Sequence, residues 1–292
     1  MTPFASLVVK PSLRCYQRTV NFRVLEALGE PSPLVVEVPH AATAVDPACM
    51  PWLVAPIRSI GRDADLYVDE LFRNAPSLGA TLISADLSRY VCDLNRDVGD
   101  VDSESVEGAE GTDAPHGLIW HRSTDGHRAL PCPLPTHELR RRLDAYYYPY
   151  HRTIRKLLDE RRREFGHAVL LCAHSMPSRG RVGSVDVGRK RADIVPGTRG
   201  RTTAAAAIIN SVEALAKQSG WSVTHDDPYR GGFATIHYGK PEQGWHAIQV
   251  EISRARYMDE ASLLQHSGFN QTQEFCSALV AELARLRQTD LT

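Results

Sequence analysis

The sequence predicts an α/β protein in which a mixed, mostly parallel sheet lies between two layers of helices. Short apolar runs alternate along the chain with segments of helical periodicity, which is the order of elements in α/β folds. The runs are apolar on both faces, as expected of central strands covered by helices on both sides. The length of 292 residues is enough for one large core, so we expect a single domain over residues 1–292.

Four segments are the clearest strand candidates, because each is short, apolar and bounded by turn residues. They lie at 34–38, 81–84, 168–173 and 247–252. The last of them contains Glu251, a charge that would be costly to bury without a partner.

Four helices are predicted from apolar positions spaced three and four residues apart. They cover about 65–74, 136–158, 202–218 and 273–287. Thr136 is a suitable N-cap for the second helix. Pro149 lies inside that helix and lacks a backbone N–H, so we expect it to kink or divide the helix.

The overall composition excludes several classes of function. A net charge of −1 gives no field that would attract nucleic acid or anionic lipid. No apolar stretch reaches the roughly 20 residues of a membrane helix, and the N-terminus lacks the apolar run of a signal peptide. The six cysteines show no CxxC spacing and are expected to be reduced thiols. We therefore expect a cytoplasmic protein with no nucleic-acid or membrane partner, and the sequence predicts no particular oligomeric state.

Two segments have an unusual charge. Residues 97–116 contain seven acidic residues and no lysine or arginine, which predicts a flexible acidic surface loop at about 97–117. Residues 179–201 contain seven basic residues. Most of this second segment is expected to be a solvated loop, and the alternative is that one or two of its arginines face an anionic substrate.

His40 and His174 each follow a predicted strand of the sheet. Open α/β sheets bind ligands at the carboxyl ends of their strands, and neutral imidazole is a good zinc ligand. A single such histidine is more often a packed residue, but two at equivalent strand ends favour a shared metal site. Because a catalytic zinc takes three protein ligands, Asp63 or Asp65 is expected to be the third, with a slight preference for Asp65. Capping of the predicted helix explains one of these two carboxylates equally well.

Glu251 has two interpretations. It is either paired with Arg254 or Arg256, or it is a general base that takes a proton from a metal-activated water. The two histidines favour the second interpretation.

The segment 88–97 contains candidate substrate ligands. Arg89 and Arg96 are natural partners for a carboxylate, and Asn95 supplies a further donor. Salt bridges from these arginines to Asp93 or Asp97 are the alternative. A later segment, 227–241, is rich in glycine and aromatic residues and is either a loop that closes over a small ligand or a plain hairpin.

Taken together, eight segments in order along the chain resemble the N-formylglutamate amidohydrolase family. They are VPHAAT (38–43), RDADLYVDELF (62–72), SRYVCDLNRD (88–97), YYPYH (147–151), AHSMPS (173–178), ADIVPGTRG (192–200), PYRGGFATIHYGKP (228–241) and HAIQVEISRARYMDE (246–260). Each segment is modest evidence by itself, and the shared order makes the resemblance strong.

The resemblance implies a fold similar to zinc carboxypeptidases and aspartoacylases. It implies hydrolysis of an N-formyl or N-acyl amino acid, most simply N-formyl-L-glutamate to formate and L-glutamate, with Zn²⁺ or another divalent metal such as Co²⁺. The alternatives are an N-acyl amino acid deacylase, a small zinc peptidase, and a non-catalytic carboxylate-binding module on the same fold.

The resemblance also implies roles for individual residues. His174 is the second metal histidine, Glu251 the catalytic glutamate and Arg89 the residue that polarises the scissile carbonyl. Asn95 and Arg96 bind the substrate carboxylate, and Arg199 or Arg230 is expected to bind a second carboxylate if the substrate is a glutamate derivative. Two departures stand out: Thr43 replaces the glutamate of the HxxE unit of zinc carboxypeptidases, and Ala41–Ala42 replaces the usual Ser–Gly pair.

Overall fold

A mixed seven-stranded sheet forms the centre of the structure, a computed structural model that describes residues 16–19, 21–111 and 113–291. Its strands in chain order are β1 (Tyr16–Thr19), β2 (Phe22–Leu25), β3 (Leu34–Val38), β4 (Thr81–Ala85), β5 (Ala168–Met176), β6 (Ile194–Gly197) and β7 (Trp245–Ser253). Their order across the sheet is β1-β2-β4-β3-β5-β7-β6. The adjacent strands β4, β3, β5 and β7 are parallel, whereas β1, β2 and β6 pair antiparallel with their neighbours. The four predicted strands are confirmed as these four parallel strands.

Helices cover both faces of the sheet. They are α1 (Ile57–Asp63), α2 (Val68–Leu71), α3 (Thr136–Arg142), α4 (Tyr148–Phe165), α5 (Ala206–Gln218), α6 (Phe233–Tyr238) and α7 (Phe269–Ala284). Side chains of α2, α5 and α7 join one hydrophobic core, and those of α4 and α6 join the other. The predicted three-layer α/β/α architecture is therefore confirmed.

Strand β5 shows how the sequence supports both layers. Val169 and Leu171 point into the core on one face, and Leu170 and Cys172 point into the core on the other. All four are fully buried, and each aliphatic side chain contributes about 1.5–3 kcal/mol by leaving water. A strand that is apolar at every position is stable only between two such layers.

The predicted helix at 65–74 is confirmed only as the short helix α2, Val68–Leu71. Helix α1 already ends at Asp63, and α2 begins only at Val68. Between them Ala64 is extended and Tyr67 adopts a left-handed backbone conformation with φ of 68°. The chain leaves the helix because the backbone N–H of Asp65 donates to the carbonyl of His40 instead, at 2.8 Å. This tertiary contact overrides the local helical pattern.

The predicted long helix is divided, as expected near Pro149. The helix α3 begins at Thr136, which is its first residue and not its N-cap. A π-helical turn, Leu143–Tyr147, then leads into α4, where the proline occupies the first turn and its missing N–H costs no hydrogen bond.

The other two predicted helices are confirmed with shifted ends. Helix α5 begins at Ala206 because the preceding residues, Thr202 and Thr203, donate backbone hydrogen bonds to Thr198. Helix α7 runs from Phe269 to Ala284, starting and ending earlier than the predicted range.

The acidic segment contributes to the interior more than its composition suggests. Asp102 is 2% exposed and accepts hydrogen bonds from the backbone of Ser105 and Ala114. Val106 joins the core. The predicted surface loop is therefore partly buried. Its predicted flexibility stays a prediction, as does the single-domain organisation.

No helix in the described part of the chain is long and apolar enough to cross a membrane. Cys15 and the N-terminal stretch on which the expected lack of a signal peptide rests lie outside the described residues.

Candidate metal and active site

Two histidines meet at the carboxyl edge of the sheet. His40 lies two residues after the end of β3, and His174 lies inside β5, which extends three residues beyond its predicted end at residue 173. Because β3 and β5 are parallel neighbours, the two rings come within 5.0 Å of each other, measured between ring centroids. Both residues are buried.

Asp65 completes a compact cluster with these histidines. Its Oδ2 atom lies 3.0 Å from Nδ1 of His174 and 3.7 Å from Nδ1 of His40. One ligand atom from each of the three residues lies within 4.8 Å of the others. Burial alone would raise the pKa of Asp65, but its interactions with His174 and His40 and the charge of Arg254 outweigh it and hold that pKa well below its usual range. A lowered pKa favours the ionised carboxylate, which is the form that binds a metal ion.

The Asp63 carboxylate points elsewhere. It accepts hydrogen bonds from the hydroxyl of Tyr90 at 2.6 Å and from the backbone N–H of Thr124 at 3.1 Å, together with the Thr124 hydroxyl. Arg181 lies 3.7 Å away. These contacts attach the end of α1 to a neighbouring loop. Of the two candidate aspartates, Asp65 alone joins the histidines.

The donor set fits a divalent metal ion. Nδ1 of His40 is buried and has no hydrogen-bond partner among the described residues, although it points toward Asp65. A buried nitrogen without a partner is costly unless it meets an ion or a donor. Nε2 of the same ring lies 2.8 Å from Asp93, an arrangement that fixes the ring and frees Nδ1 to act as a ligand.

Asp93 is a site residue whose role the sequence did not reveal. It is fully buried and accepts hydrogen bonds from Arg89, from the backbone of Asn95 and from the indole of Trp120. Burial would raise its pKa, but the charges of Arg89 and His40 outweigh it and hold it well below the usual range. The sequence suggested only a salt bridge to Arg89, and no local pattern indicated the contact with His40.

Glu251 lies beside the cluster. In the parallel pairing of β5 and β7 it is directly opposite His174, and it is 5% exposed. Burial raises its pKa to about 7 against the opposing charge of His174. Such a pKa suits a group that accepts and returns a proton near neutral pH.

The arginines expected to pair with Glu251 bind other groups. Arg254 donates to Asp65 at 3.0 Å, and Arg256 forms an ion pair with Asp193 at 2.9 Å. Among the described residues Glu251 forms no salt bridge, and its Oε1 atom accepts from the amide of Gln249 at 2.9 Å. The sequence did not single out Gln249, although it occurs two positions before Glu251 on the same face of β7.

Two nitrogens of Arg89, Nε and Nη2, donate to the same oxygen of Asp93, Oδ2, at 3.0 and 2.7 Å, and the guanidinium stacks on Trp120. The salt bridge considered as an alternative is thus present. The predicted action of Arg89 on a substrate carbonyl stays a prediction.

Asn95 and Arg96 differ in their surroundings. The Asn95 amide lies 3.3 Å from Nε2 of His174, and its oxygen accepts from the backbone of Ala234. The Arg96 guanidinium, which is partly exposed, donates to the carbonyls of His116 and Asn95. Asn95 is therefore at the cluster, and Arg96 is bound to the adjacent acidic segment.

The glycine-rich segment 227–241 packs on the site and contains the short helix α6, so it is not a plain hairpin. The Gly232 backbone donates to Gln249 at 2.9 Å, and a Cβ atom at this position would lie 2.3 Å from the amide of Asn95. Only glycine permits this approach. Arg199 and Arg230 are exposed on adjoining loops, which a backbone hydrogen bond of 2.9 Å connects.

A buried His–Asp–His cluster next to a buried glutamate, at the carboxyl edge of a mixed sheet, is typical of hydrolases that hold a divalent metal. Comparison with known proteins identifies the family. The profile of the N-formylglutamate amidohydrolase family matches residues 32–258.

Two curated relatives are N-formylglutamate deformylases. The Pseudomonas aeruginosa protein is 36% identical over 232 residues, which cover 78% of this chain and 83% of the relative. The Pseudomonas putida protein is 33% identical over 231 residues, covering 78% and 82%.

Solved structures with the same fold include a member of this family. An N-formylglutamate amidohydrolase from Ralstonia eutropha JMP134 superimposes with a TM-score of 0.83 at 29% identity, covering 91% of this chain and 98% of that one. A gene product from Agrobacterium tumefaciens, at 20% identity and a TM-score of 0.66, shares the fold over 90% of this chain and 94% of its own. The chain belongs to the N-formylglutamate amidohydrolase family and is an amidohydrolase, as the eight sequence motifs predicted.

Proposed function

We propose that this protein hydrolyses N-formyl-L-glutamate to formate and L-glutamate, using a divalent metal held by His40, Asp65 and His174. The observation that carries the proposal is the buried cluster of these three side chains with Glu251 beside it. The names of the two Pseudomonas relatives support the substrate.

Zn²⁺ is the metal that two imidazoles and one carboxylate suit best, and Co²⁺ fits the same ligands. When bound, such an ion supplies Lewis-acid activation of water and of the scissile carbonyl. The chain supplies the geometry: Asp93 fixes the His40 ring, and the backbone contact between Asp65 and His40 fixes the third ligand.

Glu251 is the proposed proton carrier. It takes a proton from the attacking water as the water oxygen bonds to the formyl carbon, and it gives that proton to the amide nitrogen as the C–N bond breaks. Its pKa of about 7 allows both steps without a large energetic penalty. The Arg89 guanidinium stabilises the negative oxygen that develops on the formyl carbon, an effect worth about 3–4 kcal/mol for one well-placed donor.

A substrate with two carboxylates needs two sets of polar or positively charged partners. Asn95 and Arg96 bind the α-carboxylate, and the exposed arginines Arg199 and Arg230 are available for the side-chain carboxylate. The expected cytoplasmic location and small-molecule partner accord with this reaction.

The decisive experiment assays the purified enzyme, loaded with Zn²⁺ or Co²⁺, on N-formyl-L-glutamate, N-acetyl-L-glutamate and a dipeptide. We expect the formyl compound to be hydrolysed fastest, and activity to disappear with a chelator and return with metal. A preference for the acetyl compound would indicate an N-acyl amino acid deacylase, and a preference for the dipeptide a peptidase.

Glu251→Gln tests the proton carrier. We expect kcat to fall about 10²–10⁴-fold while the metal content stays unchanged. The matched control is Glu274→Gln, at an exposed position on α7, which should keep full activity. Full activity of the Glu251 variant would leave the protein without a general base and overturn the mechanism.

A further inference from the structure

Arg254 is a buried arginine for which the proposed reaction has no role. It lies in a short 3₁₀ turn, Arg254–Arg256, that directly follows β7, and it is 3% exposed. Burying a guanidinium is expensive unless its N–H groups are all paired. The position of its partners therefore indicates what it does.

Each of the three nitrogens of the Arg254 guanidinium donates a hydrogen bond, and the acceptors lie close to Asp65 and His174. Nη2 donates to Oδ1 of Asp65 at 3.0 Å, and Nε donates to the hydroxyl of Ser175 at 3.2 Å. Nη1 donates to the carbonyl of Arg62 at 2.5 Å. The guanidinium thus connects three elements: the end of β7, the strand β5 that carries His174, and the turn that carries Asp65.

The two oxygens of Asp65 are divided between two kinds of partner. Oδ2 lies toward the two histidines, at 3.0 Å from His174 and 3.7 Å from His40. Oδ1 is held on the other side by Arg254, with the Ser175 hydroxyl at 3.5 Å. A carboxylate with both oxygens free can rotate or bind in either of two modes, whereas this one can offer only a single oxygen in a fixed direction.

We propose that Arg254 is a positioning residue of the metal site, whose guanidinium holds Oδ1 of Asp65 so that Oδ2 alone faces His40 and His174. The inference rests on the proposed function, since it needs a metal at this cluster. Residues that orient metal ligands in this way are typically worth about 10–100-fold in metal affinity.

Arg256 is a matched control on the same turn. It forms an ion pair with Asp193 at 2.9 Å and stacks on Trp221, away from the cluster. Arg254→Met and Arg254→Lys are therefore compared with Arg256→Met and Arg256→Lys. The lysine variant of Arg254 keeps the positive charge but has a single donor nitrogen in place of the planar fork.

The readout is metal affinity, measured for Zn²⁺ by competition with a chromophoric chelator, together with the visible absorption spectrum of the Co²⁺-loaded protein. We expect affinity to fall about 10-fold or more in Arg254→Met and by a smaller factor in Arg254→Lys, and the Co²⁺ spectrum to change in both. Both variants of Arg256 should match the wild type in affinity and spectrum. Should Arg254→Met fail to fold, Arg254→Lys carries the same comparison.

Three results would overturn the inference, and they are distinguishable. Wild-type affinity and an unchanged Co²⁺ spectrum in the Arg254 variants would show that Asp65 needs no positioning. Tighter binding in Arg254→Met than in Arg254→Lys would show that repulsion by the positive charge outweighs orientation. A wild-type protein that binds no divalent metal would instead overturn the proposed function, and the inference with it.

Discussion

Asp63 and Asp65 are equally buried, each with 3% of its surface exposed, and yet they meet opposite kinds of partner. The first accepts hydrogen bonds from a tyrosine and a threonine, which anchor the end of α1 to a loop. The second meets two histidines and an arginine at the edge of the sheet. Burial and charge thus do not distinguish a structural carboxylate from a candidate ligand, whereas the chemistry of the partners does.

The physical reason for this division is the backbone between them. Helix α1 stops at Asp63, and Ala64 is extended, so the two side chains leave the chain in different directions. Residues two apart in a helix also point in different directions. A continued helix, however, would use the Asp65 backbone N–H within the helix, and the hydrogen bond that brings Asp65 to His40 would be lost.

The largest expected effect comes from exchanging the two carboxylates for amides. Asp65→Asn should lower the affinity for Zn²⁺ by more than about 100-fold, the upper range for residues that merely orient a ligand. Asp63→Asn should leave that affinity unchanged. Chelator competition on both variants measures the difference, and equal losses would mean that the comparison between the two aspartates is wrong.

A second, somewhat smaller effect is expected at Asp93, which belongs functionally with Asp65 because it orients His40. Asp93→Asn should reduce Zn²⁺ affinity about 10–100-fold. It should also destabilise the fold, since it leaves the buried charge of Arg89 without its partner. Thermal unfolding and metal titration of the same sample separate the two consequences, and a variant that binds metal normally would argue against the orienting role.

The pH dependence of kcat/KM sharpens the comparison further. A general base works only when deprotonated, so activity should fall as the pH drops through the pKa of Glu251, which burial raises to about 7. A bound cation favours the ionised form, so the midpoint is expected at pH 7 or somewhat below. The charge of Asp65 is among those acting most on Glu251, and that of Asp63 is not, so Asp63→Asn should leave the midpoint in place. A midpoint that moves in this variant would contradict the separation of the two groups.

Loss of the Asp63 contacts should lower the free energy of unfolding. Asp63→Asn is expected to cost about 1–3 kcal/mol of unfolding free energy, because buried donors from Tyr90 and Thr124 lose a charged acceptor. Denaturant unfolding measures this loss. A variant as stable as the wild type would remove the structural role assigned to Asp63.

The smallest effect is expected for Thr124→Val. This substitution removes the hydroxyl that donates to Asp63 and keeps the shape of the side chain at position 124. We expect about 1 kcal/mol of destabilisation and unchanged kinetics and metal affinity. Altered kcat in this variant would connect the Asp63 side of the turn to catalysis.

Much of the site could be predicted because its residues interrupt strong local patterns. His40 follows an apolar strand, and His174 and Glu251 are polar residues inside apolar strands, so the strand pattern itself marked them. The roles of Asp93, Gln249 and Arg254 could not be predicted in this way, because each depends on a partner that is distant in the sequence. Arg254 and Asp65, for example, are separated by 189 residues.

The sequence by itself determined the three-layer fold, the four parallel strands and the family. Apolar runs and helical periodicity are local properties, and the order of motifs is written directly in the chain. Only the tertiary structure shows that Asp65, and not Asp63, lies beside the two histidines, and that Arg254 pairs with Asp65 rather than with Glu251. The physical reason is that a buried charged side chain is stable only where its hydrogen bonds are satisfied, and those partners come together only when the chain folds.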